Sequence, residues 1–162
     1  MNKLRLLLVS VLLLSINICS AQKVTARYIE KFLPLTKDLS AQWGIPASII
    51  LGVSILESGS GTSINCRQLN NYFGVKGKNH LRKRKTKYKQ YASAEDSFND
   101  FCGIVSRKKF YPKLKGNKNY RLWLTAMNNH NYAGAKEVWI SRIKVIISKH
   151  KLAQYDTVAD TP

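Results

Sequence analysis

The sequence predicts a mainly α fold of the α+β kind, with one small β element. Three observations point there. Apolar side chains recur at helical spacing in four separate stretches, around residues 25–43, 46–58, 93–105 and 136–152. Two short stretches, Asn71–Lys76 and Thr86–Tyr91, instead have strand character. A composition of 44% hydrophobic and 22% charged residues over 162 positions is that of one globular domain, not of a disordered chain.

Residues 1–21 read as a signal peptide. Lys3 and Arg5 are followed by the apolar run Leu6 to Leu14 and by the small-residue site Cys19-Ser20-Ala21. The run is too short for a comfortable membrane span, so no transmembrane span is expected in the mature chain. A domain over 22–153 and a disordered tail over 154–162 complete the expected organisation, with export to the periplasm, cell envelope or medium and a monomeric state. The full chain carries a net charge of +18, and about +16 without Lys3 and Arg5. That excess calls for a negatively charged partner. Nucleic acid is disfavoured for an exported chain without a stacking motif. The mature chain keeps Cys66 and Cys102, whose pairing the sequence leaves open. His80, His130 and His150 are scattered without ligand spacing, so neither metal nor cofactor is expected.

The first helix is read over 25–43, with Tyr28, Ile29, Phe32, Leu33, Leu35 and Leu39 as its apolar face and Pro34 as a kink or split. The second runs from Pro46 to a glycine-rich exit at Gly59 and Gly61. Nearly every residue between is apolar or small, so this helix packs on most sides. Glu57 is its only charge. It lies in the last turn, where apolar surroundings and the helix dipole both disfavour ionisation. A carboxylic acid kept protonated is what a glycosidase uses to protonate a leaving oxygen. The plainer alternative is a helix-end glutamate that simply reaches water.

From Lys76 to Lys89 there are eight basic residues and no acid. This stretch is either a solvated charge run or a platform for an anionic envelope surface. Ser93 and Asp96 form a capping-box variant that starts the third helix, which explains Asp96 without catalysis. Asn119 to Asn128 reads as a further helix. A loop containing Asn131-Tyr132-Ala133 follows, then a last helix from about Lys136 to Leu152. Tyr132 by itself is as readily a packed loop aromatic as a site residue.

Four stretches together resemble the bacterial glucosaminidase family, glycoside hydrolase family 73, the mannosyl-glycoprotein endo-beta-N-acetylglucosaminidase-like domain. They are Pro46 to Gly61 with Leu56-Glu57-Ser58-Gly59, then Asn70-Asn71-Tyr72-Phe73-Gly74-Val75-Lys76. Next come Tyr91 to Phe101, and Asn131-Tyr132-Ala133 with Trp139 and Ile143 behind it. The resemblance covers about residues 27–153. It implies a lysozyme-like fold, with an α lobe, a small β-hairpin lobe and a cleft between them. It implies cleavage of peptidoglycan glycan strands after N-acetylglucosamine. Glu57 would be the general acid, and Tyr132 would line the cleft as a second catalytic residue. Asn70, Asn71, Tyr72, Phe73 and Gly74 would shape the substrate-binding wall.

One departure stands out. Members of the family usually carry a second carboxylate in the β lobe, but Lys76 to Ala94 holds no Asp or Glu. The substrate's own N-acetyl group could serve as nucleophile instead, or an acid elsewhere such as Glu95 or Asp96 could reach in. The alternatives are a lytic transglycosylase of the same fold, which needs no water-activating base, and a non-catalytic cell-wall-binding module. A cysteine hydrolase built on Cys66 has no motif to support it.

Overall fold

A computed structural model describes residues 3–130 and 136–157, with side chains described over 22–130 and 137–157. The chain is mostly helical. In order come α1 (Lys3–Trp43), α2 (Ala47–Ser58), α3 (Ile64–Leu69), α4 (Ala94–Ser106), α5 (Tyr111–Leu114), α6 (Tyr120–Asn129) and α7 (Lys136–Lys149), closed by a 3-10 turn at Leu152–Tyr155.

α2 is the centre of the molecule. Ala47 to Ile55 and Ser58 are all buried. A helix apolar on every side is stable only when neighbours cover it all round. α1 covers one side with Tyr28, Ile29, Phe32 and Leu39. α7 covers another with Ile143 and Ile147, and here the two backbones come close. A Cβ on Gly52 would sit 3.2 Å from Ile147 Cγ1 and 3.3 Å from Ile143 Cγ2. The closing 3-10 turn and α6 also pack against α2, while α4 packs on α1 through Phe98. Phe32 stacks on Phe98 with ring centroids 5.0 Å apart.

Pro34 neither kinks α1 into two helices nor ends it. Phe32 and Leu39, buried on either side of it, hold both halves against the same core. The helix also runs on backwards from the expected start at residue 25 into the apolar N-terminal run. Among the described residues no helix is long and apolar enough to cross a membrane.

The expected hairpin is an irregular ribbon. Lys76 and Tyr88 form one antiparallel bridge, flanked by Gly77 N donating to Lys87 O and Lys89 N donating to Val75 O. Side-chain amides take over the rest of the backbone pairing, which is why no ladder develops. Asn71 Nδ2 donates to Val75 O and Lys89 O. Asn79 Nδ2 donates to Thr86 O and Tyr88 O.

The chain does not become disordered at Gln154. Leu152–Tyr155 is a 3-10 turn, and Asp156 beyond it is only 4% exposed. Its carboxylate accepts from Ser48 N at 2.8 Å and Ser48 Oγ at 2.6 Å. It thereby caps the start of α2, where Pro46 offers no capping side chain. Cys66 and Cys102 are both free and buried. Cys66 lies beside Gly61, and Cys102 sits on the inner face of α4.

Candidate active site

The exit from α2 places Glu57. Gly59 takes the left-handed conformation at φ +58°, and its N–H closes the helix on Ile55 O. The chain turns away at once, and Glu57, one residue before the helix ends, faces outward. Ser58 points inward, where its hydroxyl donates to Ser54 O at 2.6 Å and accepts from Gly61 N at 2.8 Å. Glu57 keeps access to solvent while its buried neighbour anchors the helix end.

Two elements close on the carboxylate. From α7, Trp139 Nε1 donates to Glu57 Oε1 at 3.0 Å. From the ribbon, the chain passes Gly74 at φ +66°, where a Cβ would stand 3.5 Å from Glu57 Oε2 and 3.9 Å from Tyr88 Cε1. The carboxylate thus lies between an indole edge and the ribbon. Crowding by these neighbours pushes its pKa above the ordinary glutamate range, and the Trp139 N–H pulls back in the ionised direction. The solvent-facing side chain and the raised pKa are compatible, because solvent reaches one side of the carboxylate while Trp139 and the ribbon cover its flanks. Among the described residues the one ion pair is Lys89–Asp100, so no cation neutralises Glu57.

The wall residues reach the site in different ways. Asn70 takes a left-handed φ of +49° to end α3, and its amide donates to Tyr91 O and Ala92 O. Asn71 is buried and ties both arms of the ribbon. Tyr72 and Phe73 are buried too, with Phe73 stacked on Phe101 at 4.2 Å. These four fix the path of the backbone, and Gly74 is the position that meets the carboxylate. Tyr132 lies outside the described residues. The flanks of its segment are joined, since Asn128 Nδ2 donates to Glu137 Oε1 at 3.2 Å.

Asp96, Asp100 and Asp156 have structural partners. Asp96 Oδ2 accepts from Ser93 N, and Ser93 Oγ accepts from Asp96 N, which completes the capping box. Asp100 accepts from Lys89 Nζ at 2.7 Å and Tyr91 OH at 2.8 Å. These bonds hold its pKa below the usual value although burial opposes them. Asp156 is at the opposite end of α2 from Glu57. Among the described residues no group of His, Cys, Asp and Glu side chains could hold a metal ion.

Trp139 and Tyr88 are the site residues that the sequence did not single out. Trp139 was legible only as an apolar position of the last helix. Tyr88 was legible only as an aromatic in a basic strand.

Comparison with known proteins places this geometry. Residues 33–152 match a family model described as mannosyl-glycoprotein endo-beta-N-acetylglucosaminidase. No curated protein matches the chain. Among solved structures, the catalytic domain of the autolysin Auto from Listeria monocytogenes superposes with a TM-score of 0.68 at 20% identity, covering 82% of this chain and 88% of that one. The glycoside hydrolase domain of FlgJ from Salmonella typhimurium gives 0.63 at 21% identity, covering 80% and 90%. A peptidoglycan hydrolase from Sphingomonas sp. A1 gives 0.62 at 20% identity, covering 84% and 97%. At these identities the likeness is one of fold.

Proposed function

The chain belongs to the glucosaminidase family, and on that premise we propose that it is an exported enzyme that hydrolyses the glycan strands of peptidoglycan after N-acetylglucosamine, with Glu57 as general acid. One observation carries this reading. Glu57 is a carboxyl group with a raised pKa and no ion-pair partner among the described residues, held by Trp139 Nε1 against the ribbon.

In the protonated form Glu57 gives its proton to the glycosidic oxygen as the bond to the anomeric carbon breaks. The ribbon has no acid to act as a second carboxylate, and Asp96 and Asp100 are engaged in a cap and a pair. The substrate's N-acetyl oxygen takes the nucleophile's place. It attacks the anomeric carbon to form a cyclic oxazolinium ion. Water then opens the ring, and the proton released returns to Glu57. Tyr132 would steady the acetamido group, and Asn70, Asn71, Tyr72, Phe73 and Gly74 would shape the wall.

The same missing acid favours a second reading, a lytic transglycosylase, which also needs only one acid. The products separate the two. Mass analysis of fragments from purified sacculi gives a reducing N-acetylglucosamine end for the hydrolase and an anhydro-muramyl end for the transglycosylase. Glu57→Gln should reduce cleavage by about 10²–10⁴-fold, with thermal unfolding unchanged. Cleavage at the wild-type rate by that variant would refute the role of Glu57.

A further inference from the structure

We propose that Lys76 is a specificity residue that binds a carboxylate of the peptide stem carried by the bound glycan, so that the cleft selects stem-bearing over bare strands. This rests on the glycan-hydrolase reading given above. The argument begins with the bridge between Lys76 and Tyr88. The flanking bonds, Gly77 N to Lys87 O and Lys89 N to Val75 O, make the two residues a non-hydrogen-bonded antiparallel pair. Side chains of such a pair leave the same face of the ribbon and lie close together. Tyr88 places that face, because its ring edge lies by Gly74, whose Cα side also faces the Glu57 carboxylate. Lys76 is therefore on the cleft side, and it is exposed.

The rest of the ribbon shows that this cation is available. Lys89 is taken by Asp100 at 2.7 Å. Arg84 donates to Gln68 Oε1 and Asn65 Oδ1, which pins the arch of the ribbon to α3. Lys76 has no carboxylate partner among the described residues. The ribbon is anchored through Asn71, Asn79, Arg84 and Lys89, and it presents Lys76 beside the acid. In a stem-bearing strand the lactyl carboxyl of each muramic sugar is consumed in the amide bond to the stem, so the sugars themselves are uncharged. The nearest anion to a cation at the cleft edge is then a carboxylate on the stem of the sugar already in the cleft. A separate phosphate polymer would have to enter alongside the strand.

The test compares two substrates, soluble stem-bearing strands and the same strands after an amidase has removed the stems and the freed lactyl carboxylates have been capped as amides. Lys76→Gln should raise KM on stem-bearing strands about two- to fivefold, as for one solvent-exposed ion pair. The kcat should hold, and cleavage of bare strands should be unchanged. Lys37→Gln, an equal charge change on α1, serves as the control. Equal loss on both substrates, no loss on either, or the same loss from Lys37→Gln would overturn the assignment. Cosedimentation of the Glu57→Gln chain with and without Lys76→Gln reads stem binding apart from turnover. If wild type cleaves neither substrate, the hydrolase reading fails. The stem contact then stands or falls on whether Lys76→Gln weakens cosedimentation with stem-bearing strands alone.

Discussion

Replacing Asp156 with alanine should destabilise the domain although the residue is far from the cleft. Its two oxygens accept from Ser48 N at 2.8 Å and Ser48 Oγ at 2.6 Å. Ser48 is fully buried and Asp156 nearly so. Asp156→Ala removes a helix cap worth about 1 kcal/mol. It also leaves a buried hydroxyl and N–H short of an acceptor, at roughly 1–3 kcal/mol. The expected loss is about 2–4 kcal/mol, or roughly 6–15 °C in Tm for a domain of this size. Circular dichroism melts and urea titration at neutral pH measure it.

The pH dependence supplies an independent sign. Burial raises the Asp156 pKa, against the opposing pull of the Ser48 bonds. A folded pKa above the unfolded value means that the proton-linked part of this group's contribution, which adds to the cap, is full below the unfolded value, about 3.9. It is lost as pH rises through the folded value. Asp156→Asn should abolish that part of the profile. A stability for Asp156→Ala within about 0.5 kcal/mol of wild type would refute the capping argument.

Trp139→Phe removes the donor that favours ionised Glu57, so the Glu57 pKa should rise further. Activity needs the protonated acid and fails as pH rises through that pKa, so the alkaline limb of kcat should move to higher pH. A limb that stays in place or moves down would contradict this. Gly74→Ala forces a side chain to φ +66° and puts a methyl 3.5 Å from Glu57 Oε2. It should cost about 1–2 kcal/mol of stability, and kcat/KM should fall by more than the unfolded fraction explains. Neutralising Arg82, Lys83, Lys85 and Lys87 together should weaken binding to sacculi more at low than at high salt, because exposed charges are screened. A salt-independent effect would mean that the run acts through shape.

What the sequence made legible is what local chemistry writes. Gly59 after Glu57, Ser93 three residues before Asp96, and the apolar spacing of α7 each specify their structure within a turn or two. The resemblance to the glucosaminidases rested on such stretches, and the family match agrees with it. Contacts between distant positions were not legible. Trp139 meets Glu57 across 82 residues, and no spacing rule marks an indole as a donor instead of a core residue. Asp156 looked like part of a polar tail because Ser48, which gives it a reason to be buried, is 108 residues away. The ribbon misled for another reason. Strand-like composition foretold extended chain, but the amides of Asn71 and Asn79 claim the backbone groups that a ladder would use.

The clasp between Ser48 and Asp156 bears on how the protein is made. Synthesis proceeds from the amino end, so the segment that becomes α2 leaves the ribosome 108 residues ahead of the group that secures its start. The packing partners on α7 emerge nearly as late, and Gly52 has nothing to close against until they do. The segment bearing Glu57 is thus made early, directly after α1, and is among the last parts of the core to be locked. A chain cut short just before Asp156 would therefore leave the start of that helix without its clasp.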